Sequence, residues 1–461
     1  MFAMAKGGPD YQKVMKMTQI IWYRSQTAPK SKASEEAVQR QTVWEDTDPD
    51  ADFITIAPMH LREAFWTKIS RPIRGIMYHG WGSLVDGVTH GSYRYTNPQT
   101  RHELSRLVRT VVRPLGPTLL QVPGIQPDVA FHESFASQMF AGRGTYGWNG
   151  RWEGNAYHIA QYAQLQPEIV YDETILRDGL DRFKVLFMMG CDVLTESVAK
   201  RVKEFQAKGG LIVGDENLAP AIQPDILIQS YDRTREADKD KAALLARAAA
   251  LRNDLDLHYT RYVDSSNPQV VTYRRRYGNT DYVFAINDHR EYGEYVGRHG
   301  RVMENGLPSD ATITVGRDGG VVYDLVKHER VPAKVKDGKL TIPAHLGPCE
   351  GRLLMVTPSA IESVDVVAPE SIARGKTGTI AVHVLDAQGK IVDAVVPVHV
   401  EILDAEGRPA EFSGYYGAAG GRTLIQLDIA PNDKKGIWTI KVKELASGRE
   451  AVRYLRVNNG G

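Results

Sequence analysis

Two sets of ring-bearing residues stand where they could bind a sugar. His79 and Trp81 follow an apolar stretch that predicts a strand, and Tyr146, Trp148 and Trp152 lie in a long glycine-rich insertion. Aromatic rings stack on the apolar face of a sugar, and an imidazole can bind a hydroxyl group. Packing against a neighbouring unit explains the first set equally well. For the second set an interface is favoured over a rim that reaches the active-site mouth of a neighbouring subunit.

Cys191 follows another predicted strand, where a nucleophile elbow would place a reactive thiol. Its context, MMGCDVL, has no glycine two residues beyond the cysteine, and no H-x-E pair follows at the end of the predicted sheet. A buried structural cysteine is therefore favoured, and an enzyme resembling the amidotransferases is the weaker rival. His132 and Glu133 follow a further strand end, where ligand-facing groups stand in open sheets, but solvated polar residues are the favoured interpretation.

Metal, nucleic-acid and membrane functions find no support in the composition. The thirteen histidines form no HxH, HExxH or Cys/His grouping, so neither a metal nor a cofactor is predicted. The net charge of +1 shows no bias towards nucleic acid, and no apolar run is long enough to span a bilayer. The N-terminus lacks the apolar core of a secretion signal, so the localisation stays open between the cell interior and a longer exported parent.

The elements that position these residues are clearest around the apolar run 183–189, which predicts a buried strand. Thr195 can cap the helix that follows, Gly209 and Gly210 can end it, and a second apolar strand follows at 211–213. Strand, helix and strand in this compass predict a βαβ unit with parallel strands. Similar alternation over about 125–230 predicts an open, doubly wound sheet.

The flanking regions predict two further kinds of structure. A short helix is expected within KVMKMTQIIWYRS, and the basic triplet 274–276 is expected on a solvated strand edge. Strand, helix and strand at 53–57, 60–70 and 73–78 predict the end of a (β/α)-barrel, and the helix at 100–112 is expected to end at PLGPTLL. From residue 258 onward, short alternating strands between turn residues predict two β-sandwiches.

Several motifs, taken in order, resemble one family over roughly residues 50–355. They are IRGIMYHGW, RHELSRLVRTVVRPLGPTLL, PDVAFHES, YAQLQPEIVYDETI, DRFKVLFMMG, VKEFQAKGGLIVGDENLAP, YVFAINDHRE and VVYDL. The chain resembles the C-terminal portion of glycoside hydrolases related to the trimeric β-galactosidases. In that family a (β/α)₈ barrel precedes a flavodoxin-like trimerisation domain and then β-domains.

The resemblance implies a multidomain α/β plus all-β fold in four units. They are a partial (β/α)-barrel segment with an N-terminal extension at 1–92, a flavodoxin-like, non-catalytic amidotransferase-like domain at 93–235, a β-sandwich at 236–358 and an immunoglobulin-like β-sandwich at 359–461. It also implies a carbohydrate ligand. The assembly would be a dimer or trimer, or a pair with a partner chain that supplies the rest of the barrel.

The catalytic pair of that family has no counterpart in this sequence. Its two glutamates follow barrel strands four and seven, whereas strand four is missing here and the strand aligned with the seventh ends in Ala57-Pro58-Met59-His60. The catalytic residues are therefore unknown. The resemblance implies a glycoside hydrolase, or its C-terminal part or subunit, acting on an oligo- or polysaccharide. The alternative is a non-catalytic oligomerisation or carbohydrate-binding protein derived from such an enzyme.

Overall fold

The structure is a computed structural model that describes residues 1–8, 13–23, 53–80, 98–140, 152–234, 236–296 and 302–459. It is mixed α/β in its first half and consists of β-sheets in its second half. The first elements along the chain are α1 (Phe2–Lys6), β1 (Met15–Gln19), β2 (Ile21–Tyr23), β3 (Phe53–Thr55), α2 (Pro58–Ile69) and β4 (Gly75–His79).

Strand β1 pairs in parallel with β4, and β2 pairs antiparallel with β3. The helix predicted within KVMKMTQIIWYRS is therefore wrong. Burial alternates along β1, with Lys16 and Thr18 on the packed face and Met15 and Met17 on the exposed face. The partner of β1 lies some sixty residues along the chain, and pairing of that kind leaves little trace in a local helical or strand preference.

The helix predicted at 100–112, called the connecting helix below, continues beyond residue 112. Helix α3 (Pro98–Leu107) passes through a π-helical turn (Val108–Val112) into α4 (Arg113–Leu119). Pro114 lies two residues beyond the π-helical turn and Pro117 stands inside α4, so both prolines lie within the continuous helix. Leu107, Val111 and Leu115 are all buried at four-residue spacing, so packing along one stripe outweighs the two prolines of PLGPTLL.

A five-stranded parallel sheet follows the connecting helix. Its elements are β5 (Val129–Glu133), α5 (Phe135–Phe140), α6 (Trp152–Tyr162), β6 (Glu168–Tyr171), α7 (Asp172–Asp178), β7 (Val185–Met188), α8 (Glu196–Ala207), β8 (Leu211–Gly214), β9 (Ile226–Leu227) and α9 (Ala237–Leu255). The strand order is β6-β5-β7-β8-β9, with every pair parallel.

The predicted βαβ unit is confirmed by this pairing. Thr195 Oγ1 accepts the Val198 N–H at 3.4 Å and so caps α8, as expected. Both faces of the sheet are covered. Phe131 and Phe187 stack on the side that packs against α6, whereas Leu186 packs on the opposite side with the buried face of α8.

Two pairs of mainly antiparallel sheets follow along the chain. The first pair has the strand orders β11-β12-β20-β16-β17 and β10-β15-β19-β18, with the β13–β14 hairpin beside them. Its strands are β10 (Val263–Ser265), β11 (Val270–Tyr277), β12 (Thr280–Asn287), β13 (Arg290–Val296), β14 (Val302–Gly306), β15 (Ser309–Val315), β16 (Val321–Asp324), β17 (Glu329–Val331), β18 (Lys334–Lys336), β19 (Lys339–Leu346) and β20 (Gly351–Thr357). Val283, Ile313, Ile342 and Leu354 fill the space between the two sheets.

The last sheets have the orders β21-β23-β26 and β22-β28-β27-β24-β25, in which only the β22–β28 pair among these strands is parallel. Their strands are β21 (Ile361–Val367), β22 (Ser371–Ala373), β23 (Thr377–Asp386), β24 (Val396–Leu403), β25 (Gly414–Ala418), β26 (Arg422–Asp428), β27 (Gly436–Glu444) and β28 (Glu450–Asn458). Val382, Val400 and Ile440 belong to the core between them.

The basic triplet does not form a solvated edge, so that interpretation is corrected. Arg275 is 3% exposed and lies beneath the end of α4, where it donates to the carbonyl oxygens of Leu119 and Val122. Arg274 stacks on Tyr262 and forms an ion pair with a carboxylate of the neighbouring strand β12. Strand β11 is an edge strand by hydrogen bonding, but the connecting helix covers part of it.

Candidate functional site

The parallel pair β1–β4 has one packed face and one open face. Tyr78 on β4 packs with Leu61 of α2 and Leu104 of α3, so the helices lie on that side. Met15 and Met17 stand on the opposite face, and both are more than half exposed. In a (β/α)-barrel the helices cover the outside of the strands, so the barrel end expected from the sequence would turn the face with the methionines inward.

His79 stands at the carboxyl end of β4, on this open face. It is two residues beyond Met77, which is also more than half exposed, and it pairs in register with Gln19. The imidazole is exposed to solvent. Substrate groups in barrel enzymes are bound at the carboxyl ends of the strands, so His79 occupies a position where a ligand could reach it. Trp81, predicted beside it, lies outside the described residues.

Of the second predicted set, the described residue is Trp152, because Tyr146 and Trp148 lie outside the described residues. Trp152 is half-buried at the start of α6, and its Nε1–H donates to Asp215 Oδ2 at 2.5 Å. Asp215 also accepts the Gly190 N–H at 2.6 Å. Trp152 therefore joins α6 to the carboxyl ends of β7 and β8, whereas His79 stands on a different sheet.

Burial raises the pKa of Asp215, and the hydrogen bonds from Gly190, Trp152 and Asn217 reduce this rise. The carboxyl group is therefore held in the interior at some electrostatic cost. It fixes the turn after β7 and the indole of Trp152 at once. This role as an anchor was not predicted from the sequence, although Asp215 lies two residues beyond the strand predicted at 211–213.

His132 and Asp172 form a buried pair at the carboxyl ends of β5 and β6. His132 Nε2 lies 2.6 Å from Asp172 Oδ1, and the Ala136 N–H at the start of α5 donates to Asp172 Oδ2 at 3.2 Å. Burial opposes ionisation of Asp172, but the bonds from His132, Ala136 and Phe135 outweigh it, so its pKa lies below the ordinary value. The interpretation of His132 as a solvated residue is wrong, since its side chain is wholly buried.

Cys191 completes this cluster on the other side of the imidazole. Its Sγ lies 3.7 Å from His132 Nδ1, so thiol, imidazole and carboxylate stand in a row at the point where the strand order reverses between β5 and β7. Ligands of open α/β sheets bind at such a point. Here, however, Cys191 is 1% exposed, and the positive φ falls on Gly190 rather than on the cysteine. The thiol is therefore neither open to solvent nor held in a strained elbow.

The sequence contained the signals for this cluster but not their convergence. Each of the three side chains ends or follows a predicted strand, and parallel strands bring their carboxyl ends to one edge. The strand order decides that His132 and Cys191 become neighbours, and that order depends on long-range pairing. Cys191 and Cys349 are both buried, and neither is in a disulfide.

The described ranges contain neither a candidate metal site nor a candidate membrane span. No group of three or more His, Cys, Asp or Glu side chains there could hold a metal ion. No helix among the described residues has the length and apolar character needed to cross a membrane.

Comparison with solved structures finds several glycoside hydrolases. The α-L-fucosidase isoenzyme 2 from Paenibacillus thiaminolyticus is 12% identical, with a TM-score of 0.45, over 66% of this chain and 57% of that chain. The β-galactosidase from Bacillus circulans sp. alkalophilus is 12% identical, with a TM-score of 0.43, over 66% and 52%. A GH42 β-galactosidase from G. stearothermophilus is 14% identical, with a TM-score of 0.41, over 66% and 51%.

The chain spans a little over half the length of each of the three solved structures. No family model matches the chain, and no curated protein matches it.

Proposed function

We propose that this chain is the C-terminal part, or a subunit, of a glycoside hydrolase that acts on an oligo- or polysaccharide. The observation that carries the proposal is the β1–β4 pair, whose helices cover one face while Met15, Met17 and Met77 leave the other exposed. An apolar sheet face of this kind is normally covered. Further barrel strands, from outside the described residues or from a partner chain, would cover it and supply the two carboxylates.

The four units expected from the sequence are part of this proposal. The β1–β4 pair supports a barrel end within 1–92, and the doubly wound parallel sheet supports a flavodoxin-like domain within 93–235. The two pairs of antiparallel sheets support a β-sandwich at 236–358 and an immunoglobulin-like sandwich at 359–461. In the family that the sequence resembles, the second of these units joins subunits, which favours a dimer or trimer here.

We place the sugar at the carboxyl end of β4. His79 is exposed there and can bind a hydroxyl group, and Trp81 follows it within two residues. Tyr146 and Trp148 are proposed as further stacking residues at the rim. Trp152 fits this role less well, because its indole N–H is engaged by Asp215.

A hydrolysis assay tests the proposal. The chain alone, and the chain co-expressed with the product of the adjoining reading frame, are offered a panel of aryl glycosides and polysaccharides. We expect hydrolysis by the combined sample and none by the chain alone. The described strand β4 carries no carboxylate that could belong to a catalytic pair. Failure of both samples on the whole panel would remove the support for a hydrolase.

The alternative is a non-catalytic protein that binds carbohydrate and joins subunits. This alternative is motivated by the sequence, in which the glutamate pair of the family that it resembles has no counterpart. Binding of oligosaccharides by the chain alone, weakened in His79→Ala and accompanied by no hydrolysis in either sample, would favour this alternative.

A further inference from the structure

A cavity of about 640 Å³ lies where four parts of the chain meet. Its walls come from α1 with Gly8 and residues 13–14 before β1, from Pro72–Arg74 before β4, from the segment 119–124 at the end of α4, and from Arg275 and Tyr277 of β11. The first two of these parts precede β1 and β4, so the cavity stands at the amino ends of the two strands. It is therefore at the opposite end of the pair from His79.

The charged groups on the described walls are all cationic. Lys6, Lys13, Arg74 and Arg275 line the cavity, and no Asp or Glu does so among the described lining residues. Lys6 forms an ion pair with Glu168. The other three form no ion pair with a carboxylate of the described part of the chain. An excess of positive charge that is not paired by the described residues favours an added anion.

Arg275 is the most costly of these cations. It is 3% exposed, its guanidinium donates only to backbone carbonyl oxygens, and its Nε has no hydrogen-bond partner among the described residues. Burial, together with repulsion from Arg74, lowers the pKa of Arg275 to about 10. A buried charge without an opposite charge is strongly unfavourable.

The end of α4 compensates only part of this charge. Arg275 binds the carbonyl oxygens of Leu119 and Val122, and Arg74 Nη1 donates to that of Leu120 at 3.3 Å. A helix C-terminus carries the equivalent of about half a negative charge. Two guanidinium groups and Lys13 therefore leave a net positive charge beside an open cavity.

We propose that this cavity binds a small oxyanion, namely the sulfate, phosphate or carboxylate group of an inorganic ion or an acidic sugar. Guanidinium groups recognise such groups with paired hydrogen bonds, and a lysine adds a mobile charge. Because the walls come from four parts of the chain, the bound anion stabilises their mutual arrangement. The proposal is independent of the hydrolase assignment, since it concerns the other end of the strands.

The test is thermal unfolding of the full chain in chloride buffer with added sulfate, glucuronate or neutral glucose at matched ionic strength. Sulfate or glucuronate should raise Tm by a few degrees and saturate, and glucose should not. Sulfate alone would indicate an inorganic or sulfated ligand, and a stronger effect of glucuronate would indicate a carboxylate sugar. Isothermal titration with sulfate or glucuronate should show that Lys13→Gln and Arg74→Gln each weaken the affinity by roughly tenfold. Lys200→Gln, at an exposed position on α8, is the matched control.

The direction in which Arg74→Gln changes Tm distinguishes anion binding from a purely structural role of Arg74. Without an oxyanion, Arg74→Gln should raise Tm because it relieves repulsion on Arg275, and with saturating sulfate it should lower Tm relative to the wild type. The same sulfate effect in the wild type and in both variants would overturn the proposal, because it would reflect a non-specific effect of the salt on protein stability.

Asp10, which lies outside the described residues, provides a second control because its carboxylate could act as the missing anion. If the wild type shows no saturable effect and Asp10→Asn loses stability in chloride, the chain supplies its own anion and the proposal is overturned.

Discussion

At the scale of single residues, the chemistry-bearing side chains fall into two different situations. His79 is exposed at the end of a strand, whereas His132, Asp172 and Cys191 form a closed row inside the protein. The sequence indicated where each stands relative to a strand, but it could not indicate exposure. Exposure depends on the strand order and on the helices that cover each edge.

The pair His132–Asp172 should contribute to stability in a pH-dependent way. Since the folded-state pKa of Asp172 lies below its ordinary value of 3.8, its contribution is complete above that pH and is lost as the pH falls through the folded-state pKa. We expect Asp172→Asn to lower the free energy of unfolding by about 1.5–3 kcal/mol at neutral pH. Denaturant unfolding measured between neutral pH and pH 3 should show this difference shrinking at the acid end.

Asp178→Asn is the matched control, because this carboxylate is exposed at the end of α7 and, among the described residues, pairs only with its neighbour Arg177. It should change stability little at any pH. A loss in the control as large as that in Asp172→Asn would contradict the role assigned to the buried pair.

The two thiols should be inert in the native protein. Cys191 and Cys349 are both buried, and attack on a thiol reagent requires access to the sulfur. Titration with a chromogenic disulfide should therefore find no rapidly reacting thiol in the native chain and two after unfolding. Rapid modification that maps to Cys191 would revive the amidotransferase-like interpretation, as would loss of an activity in Cys191→Ser.

At the scale of elements, the sequence was most informative where local rules and packing agree. The βαβ unit around Asp181–Asp215 has an apolar strand, a capped amphipathic helix and a glycine end, and all of these are present. Prediction failed at β1 and at PLGPTLL. In both places a distant partner decides the structure, either strand β4 or the buried stripe along the connecting helix.

Helix α2 is held against the first sandwich by a close contact that a single methyl group should disrupt. A Cβ at Gly351 on β20 would lie 2.2 Å from the indole of Trp66. Gly351→Ala should therefore lower the free energy of unfolding by about 1–3 kcal/mol through overpacking. Gly414→Ala on β25 is the control, since a Cβ there meets nothing within 4 Å. Equal effects of the two changes in denaturant unfolding would contradict the contact.

At the scale of the whole molecule, the units share contacts that the sequence could not predict. The motifs and the change of period near residue 258 predicted an order of units, but they did not indicate the interfaces. Tyr282 of β12 is buried, and its hydroxyl group donates to the Val395 carbonyl at 2.9 Å and accepts the Val395 N–H at 2.7 Å. One side chain thus satisfies two backbone groups of the last unit.

Tyr282→Phe should weaken this junction. The Val395 N–H and C=O groups would be buried without a partner, which costs about 1–3 kcal/mol. Calorimetry should show a lower Tm, whereas Tyr454→Phe, at an exposed position on β28, should leave Tm unchanged. An unchanged Tm in Tyr282→Phe would show that the junction does not depend on this hydroxyl group.

The central claim is that the open face of β1 and β4 belongs inside a barrel completed by other strands. Methionine oxidation by peroxide, read by mass spectrometry, tests it directly, because Met77 and Met139 are both more than half exposed in this chain. In a sample co-purified with the product of the adjoining reading frame, we expect Met77 to be protected strongly relative to the chain alone, with Met139 as the internal reference. Oxidation of Met77 at the same rate in both samples would contradict the account.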